Sequence, residues 1–101
     1  MFTLIVPKNE EGKQKCDIGI DDIENQLFFD LSVEEYEVLR ENKVFEILNN
    51  KYGLWIDEGE TESISANQLK ETRNVIIPMR GAWSKAVDAA IGFKTCLITV
   101  F

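Results

Sequence analysis

The sequence predicts an α+β fold: one domain over residues 1–101, with a mixed or antiparallel sheet of four to five short strands and about three helices packed on it. The chain has 101 residues, of which 45% are hydrophobic, enough for one core without disulfides or metals. Short stretches with strand-like alternation are interspersed with stretches of helical spacing. Two capping boxes, Ser32–Glu35 and Ser65–Gln68, mark helix starts.

The first third of the chain predicts strands joined by polar turns. Residues 2–6 alternate in a strand-like pattern that ends at Pro7. We expect 8–15 to form a polar turn and 16–20 to pair back onto the first strand as a hairpin. Residues 26–30 (QLFFD) form a short apolar run with strand-favouring aromatic residues.

The middle of the chain predicts a helix followed by a strand. The helix begins at 33 after the Ser32 cap, pauses near 42–43, resumes and ends at 49–50. Residues 54–57 then read as a strand.

The last third predicts two further helices and a closing strand. Ser65 opens a short helix, and the pattern leaves open whether 75–77 ends that helix or forms a strand. Gly81 precedes a helix that Gly92 is expected to cap. Residues 94–101 are apolar on both faces, which is typical of a central strand covered by helices. The expected core includes Leu39, Ile56, Trp83 and Ile98.

The residue types argue against an enzyme and against a bound cofactor or metal. The chain has no histidine, which removes the commonest general base and metal ligand. Cys16 and Cys96 lack metal-ligand spacing, so we interpret them as structural thiols. No glycine-rich phosphate loop occurs. An enzyme whose carboxylate chemistry carries no recognisable motif remains an alternative.

The acidic run at 57–62 is a poor calcium loop. If Asp57 takes the first position, glycine falls at the third position instead of the sixth, and Gln68 replaces the bidentate glutamate at the twelfth. A solvated loop is the better interpretation.

Charge is concentrated in the middle of the chain. The net charge is −7, but residues 16–62 alone carry fourteen acids against three bases. Such a segment repels phosphate backbones, so nucleic acid is not an expected partner. It attracts basic proteins, although the same acids would also serve solubility alone.

The sequence also predicts a cytoplasmic protein that does not bind a membrane. The first residues lack the basic and long apolar regions of a signal peptide. No apolar run approaches the roughly 18 residues that span a bilayer.

Trp55 is the main candidate for partner binding. In the predicted strand Leu54 and Ile56 take the inward face, which leaves Trp55 on the outward face beside Asp57. An exposed tryptophan surrounded by carboxylates has the composition of a binding hot spot with a charged rim. The predicted partner-binding residues are Trp55, Asp57, Glu58, Glu60 and Glu62. Two alternatives stay open: a helix that covers and buries Trp55, and a homodimer formed through this face or a strand edge.

The chain also resembles the small immunity proteins of bacterial toxin–immunity systems. The resemblance covers residues 26–101 and lies in LFFDLSVEEYEVL, in VFEILNNKYGLWIDEGETESI and in AVDAAIGFKTCLITVF. It implies a cytoplasmic inhibitor that neutralises a toxin domain, often a basic nuclease, by covering its active cleft. The resemblance transfers no individual functional residue.

Overall fold

The computed structural model describes residues 2–76 and 81–101, which form one compact α+β domain with a four-stranded antiparallel sheet and five helices. The strands are β1 (Phe2–Pro7), β2 (Gln26–Leu31), β3 (Thr61–Ser65) and β4 (Cys96–Val100). The helices are α1 (Glu10–Asp17), α2 (Val33–Glu41), α3 (Val44–Tyr52), α4 (Ala66–Ile76) and α5 (Ala82–Phe93). The predicted α+β class is confirmed, whereas the expected number of helices was too low.

The first and last strands of the chain form the middle of the sheet. The strand order is β2-β1-β4-β3, and β1 pairs with β4 from Thr3 opposite Val100 to Ile5 opposite Ile98. The prediction that the closing strand is central is therefore confirmed. Its apolar composition follows from burial on both faces, because Cys96 and Ile98 on one face and Leu97 and Thr99 on the other are all buried.

The two faces of the sheet are covered unequally. Leu4 and Val6 of β1 point into the main core, which also contains side chains from α2, α3, α4 and α5. The opposite face carries Ile5, Ile98 and their neighbours, and α1 lies against it. We call this second face the open face.

Five aromatic rings join the sheet to the helices within the main core. The ring of Phe2 stacks on Tyr36 with centroids 3.9 Å apart, and Phe101 contacts both rings edge-on. Phe45 contacts Tyr36 and Phe101 and meets Trp83 edge-on at 5.7 Å. Such edge-on pairs contribute about 0.5–1.5 kcal/mol each beyond the area that they bury.

The predicted core and the capping boxes are confirmed. Leu39, Ile56, Trp83 and Ile98 are all buried. Ser32 accepts a hydrogen bond from Glu35 N, and Ser65 accepts one from Gln68 N, so both helices begin as the sequence predicts. The predicted pause near 42–43 is the boundary between α2 and α3.

The turn predicted at 8–15 and the hairpin strand predicted at 16–20 are both wrong. This region forms α1, whose first turn is capped by the Asn9 side chain accepting from Gly12 N at 2.9 Å. Gly12 lets α1 lie close to the backbone of Asn25, because a Cβ at this position would overlap the carbonyl oxygen of Asn25. Glu10 and Glu11 lie at the positive end of the helix dipole and favour the same helix.

Three further expectations are corrected or fall partly outside the described residues. Residues 54–57 do not form a strand, and β3 lies instead at Thr61–Ser65, in a segment that the sequence did not mark as a strand. Gly92 does not cap α5, because the helix continues to Phe93 and ends at Lys94 in the left-handed conformation. α4 extends through Ile76, and residue 77 lies outside the described ranges.

The Glu35 carboxylate links the starts of two helices. Its Oε1 accepts from Ser32 N at 3.3 Å, and its Oε2 accepts from Ala82 N, the first residue of α5, at 3.0 Å. These hydrogen bonds, that of Ala82 foremost, favour the ionised form and lower the pKa of Glu35. The ionised carboxylate therefore stabilises this link between the starts of α2 and α5 more strongly than the neutral acid does.

We predict that Glu35→Gln destabilises the domain in a pH-dependent way. Because the folded-state pKa lies below the ordinary value of about 4.3, the ionised carboxylate stabilises the fold above that value. This stabilisation is lost as the pH falls through the folded-state pKa. Urea unfolding should show a difference between wild type and variant that is full near neutral pH and shrinks in acid. Glu37→Gln, an exposed substitution on the same helix, is the control; a Glu35→Gln effect of equal size at all pH values would contradict the prediction.

Candidate functional site: the Trp55 loop

Residues 54–60 form a segment that we call the Trp55 loop, in which side chains bond the backbone of Trp55 and Ile56 in place of a neighbouring strand. Asn49, near the end of α3, accepts from Ile56 N through Oδ1 at 2.8 Å and donates from Nδ2 to Ile56 O at 3.2 Å. The amide thus satisfies both backbone groups of Ile56, as a paired strand would. The Ile56 side chain is buried in the main core, which fixes this point of the loop.

Glu62 holds the residue before Ile56. Its Oε2 accepts from Trp55 N at 3.0 Å, and its Oε1 accepts from Ser63 N at 2.9 Å. The half-buried carboxylate is therefore engaged with the backbone. Among the predicted site residues, Glu62 is therefore the one whose side chain holds the backbone of Trp55.

Residues 57–60 form a tight turn, which we call the acidic turn. The Asp57 carbonyl accepts from Glu60 N at 3.1 Å, and Gly59 adopts a φ of 80°, a conformation that glycine takes readily. The Asp57 side chain accepts from Glu58 N at 2.8 Å. The turn is joined to the end of the chain, because Phe101 N donates to Glu60 O at 3.2 Å.

Trp55 points into solvent. Its side chain is 75% exposed, whereas Trp83 is 2% exposed. Burial alternates through half-buried Leu54, exposed Trp55, buried Ile56 and exposed Asp57, as the sequence predicted. The alternative, in which a helix covers Trp55, is excluded by this exposure within the described chain.

The acids around Trp55 carry uncompensated charge. Asp57, Glu58 and Glu60 are exposed, and none forms an ion pair with a described lysine or arginine. Their charge extends to the aromatic cluster: burial, and then the negative charges of Glu58 and Asp57, raise the pKa of Tyr36. The surface therefore combines one large exposed ring with a local negative potential.

A groove of about 460 Å³ lies beside the indole. It is formed by the last turn of α3 and by the first half of the Trp55 loop: Asn49, Asn50, Gly53, Leu54, Trp55, Ile56 and Asp57. The groove is open to solvent and has both apolar and amide surfaces, so it can receive a side chain of another molecule next to Trp55.

The sequence predicted the exposure of Trp55 and the acids near it, but not the role of Asn49 in holding the backbone of Ile56. The structure brings Trp55, Asp57, Glu58 and Glu60 together on one loop, and Glu62 accepts a hydrogen bond from the backbone of that loop. Asn49 was interpreted only as a helix end. An asparagine in the last turn of a helix, followed closely by an exposed extended segment, is the signal that could have indicated it.

The two cysteines have the environment of structural thiols. Cys96 is buried and Cys16 is half-buried. Burial raises the pKa of both, that of Cys16 to about 11, so neither is activated as a nucleophile.

The described ranges contain neither a metal-ligand cluster nor a membrane-spanning helix. No group of three or more histidine, cysteine, aspartate or glutamate side chains is placed to share a metal ion in residues 2–76 and 81–101. Over the same part of the chain, no helix has the length and apolarity to cross a membrane.

Comparison with protein-family models, with curated proteins and with solved structures finds no match to this chain.

We predict that Trp55 is quenched freely by acrylamide and that Trp83 is shielded. The fluorescence of a Trp83→Phe variant, which reports Trp55 alone, should show a large quenching constant. The reciprocal variant, Trp55→Phe, should resist quenching because it reports the buried Trp83. Similar quenching constants for the two variants would contradict the exposure on which the site depends.

Proposed function

We propose that this chain is a non-catalytic protein-binding domain that binds a basic protein through the Trp55 loop. The observation that carries the proposal is the large exposure of Trp55 on a backbone held by Asn49 and Glu62. A large aromatic ring left in water forgoes burial of about 150–250 Å² that would stabilise a small domain. A partner that covers the ring recovers that burial.

The fixed backbone supports this role. An aromatic anchor on an ordered loop binds without a large loss of conformational entropy, which makes its burial more effective. Tryptophan is also one of the residue types enriched among binding hot spots. The groove beside it offers a place for a partner side chain to contact both the ring and Asp57.

The charge of the acidic turn supports a basic partner. Asp57, Glu58 and Glu60 are exposed beside the indole, so a cationic surface would be attracted to it over a distance of about one Debye length. This attraction accelerates encounter, while burial of the ring slows dissociation.

We further propose that the domain is an immunity-type inhibitor, located in the bacterial cytoplasm, that neutralises a basic toxin domain. The resemblance of residues 26–101 to immunity proteins motivates this step, and the acidic, exposed binding loop is compatible with it. The inhibitor would act by occupying a cationic cleft, which needs only binding and no catalytic group in the inhibitor.

Affinity capture and growth rescue test the function together. The tagged domain should retain a basic protein from its native host, and the Trp55→Ala domain should lose it. Expression of that protein alone should arrest growth, and co-expression of the wild-type domain should restore it. Retention of a protein that is not toxic would refute the immunity role but leave the binding role intact. Capture that is unaffected by Trp55→Ala would refute the proposed surface.

We predict that Trp55→Ala separates stability from binding. Because the side chain is largely exposed, the free energy of unfolding should change by less than about 1 kcal/mol. Partner affinity should fall by about 2 kcal/mol or more, the range of a hot spot. Phe93→Ala removes another exposed aromatic side chain, 42% exposed at the end of α5, and should leave affinity unchanged. Equal losses of affinity in the two variants would contradict a specific role for Trp55.

We predict that the acidic turn controls the association rate. The triple variant D57N/E58Q/E60Q should slow association at low ionic strength, and the difference from wild type should shrink as salt screens the charges. The variant E34Q/E37Q/E41Q removes the same charge from exposed positions on α2 and should have a smaller effect. Stopped-flow mixing with the partner measures both; equal slowing would mean that only net charge matters. Glu62 is kept intact because its carboxylate holds the Trp55 backbone.

A further inference from the structure

A second apolar surface lies on the open face of the sheet. Phe28 of β2 is 37% exposed and lies in register with half-buried Ile5 and buried Ile98. Val100, also 37% exposed, lies two residues beyond Ile98 on β4, opposite Thr3. The segment that follows α1 adds Ile20, which is 49% exposed and lines a groove together with Ile5 and Val100. Clustered exposed aliphatic residues of this kind mark interaction surfaces more often than single ones do.

A groove lies between this segment and the sheet. Its volume is about 230 Å³, and its apolar lining comes from Ile5, Ile20, Ile98 and Val100. Ile20 is 49% exposed, and its backbone is fixed because its N–H donates to Lys15 O and its carbonyl accepts from Gln26 Nε2. The groove is therefore a formed feature of the fold, of a size that receives a side chain.

The surroundings of the groove are negatively charged. Residues 17–30 contain five carboxylates and no lysine or arginine. Asp21 lines the groove and Asp30 lies on the open face beside Thr3. Lys15, on the preceding helix, is already paired with Asp22 at 2.7 Å and with Glu11 at 3.4 Å, so its charge is compensated. Lys13 of α1 acts on Cys96, at the opposite end of β4 from Val100.

We propose that the open face is a second docking surface, occupied by a basic amphipathic segment of a partner protein that inserts an aliphatic side chain against Ile20 and Val100. Lysine or arginine side chains flanking the inserted residue would meet Asp21 and Asp30. A second copy of this chain fits poorly, because a symmetric contact would set these carboxylates against each other. The chemistry of the surface thus selects a cationic partner.

This surface is distinct from the Trp55 loop, although the two adjoin. Thr61 lines the groove and directly follows Glu60 of the acidic turn. The inference rests on the exposure and charge of the open face, and it stands or falls independently of Trp55.

Two synthetic peptides test the inference on the Trp55→Ala domain, in which the first surface is disabled. One is an amphipathic peptide of leucine and lysine, and the other carries glutamate at every lysine position. Titration of the ¹⁵N-labelled domain with the lysine peptide should shift the amide signals of Ile20, Thr61 and Val100. The glutamate peptide should leave them in place.

Matched variants identify the contact. Ile20→Ser should raise the Kd for the lysine peptide by about fivefold or more, the level of a contributing contact. Val38→Ser, which alters a 46% exposed aliphatic residue on α2, should leave that Kd unchanged.

Three results would overturn the inference: equal binding of the two peptides, shifts confined to other parts of the domain, or an Ile20→Ser domain that binds as before. Dimerisation of the wild-type domain in sedimentation, abolished by Ile20→Ser, would assign the face to a second copy instead.

Discussion

The aromatic cluster at one end of the sheet is the constraint on which the rest of the structure depends. Phe2 and Phe101 come from the two ends of the chain, and their rings meet Tyr36 of α2 and Phe45 of α3. Trp83 of α5 joins the cluster through its edge-on contact with Phe45, so this helix is attached to it as well. Because β1 and β4 are paired at the centre of the sheet, these contacts fix three helices relative to the two inner strands. Loss of ring packing would therefore loosen both layers together.

The same cluster positions the Trp55 loop. Phe101, whose ring lies in the cluster, donates its N–H to Glu60 O in the acidic turn, and the Ile56 side chain is buried in the main core. The Asn49 side chain forms hydrogen bonds with both the N–H and the carbonyl of Ile56. The loop is thus fixed by polar bonds to its backbone and by one buried side chain, while the charged and aromatic side chains stay in water. An exposed side chain on an ordered backbone loses less conformational entropy on binding than one on a flexible loop.

Local sequence signals predicted much of this fold, and the elements that were missed depend on contacts between residues far apart in the chain. Ser32 and Ser65 cap their helices through bonds three residues away, which a sequence pattern records directly. The helix capped by Asn9 was missed because its glycine and charged residues resemble a turn until the contact with Asn25 is seen. The exposure of Trp55 was predicted correctly from alternation, although the strand was not. Alternation reports an extended backbone with one buried side; it carries no information on which side chain satisfies that backbone.

The central claim is that Trp55 is displayed on a fixed backbone, and amide hydrogen exchange at Ile56 tests it most directly. The Ile56 N–H is bonded to Asn49 Oδ1 and its side chain is buried, so it should exchange slowly, as the amides within β4 do. In an Asn49→Ala variant the Ile56 amide should become fast while β4 stays protected. Exchange of the Ile56 amide in the wild-type domain at the rate of an unstructured peptide would contradict the account.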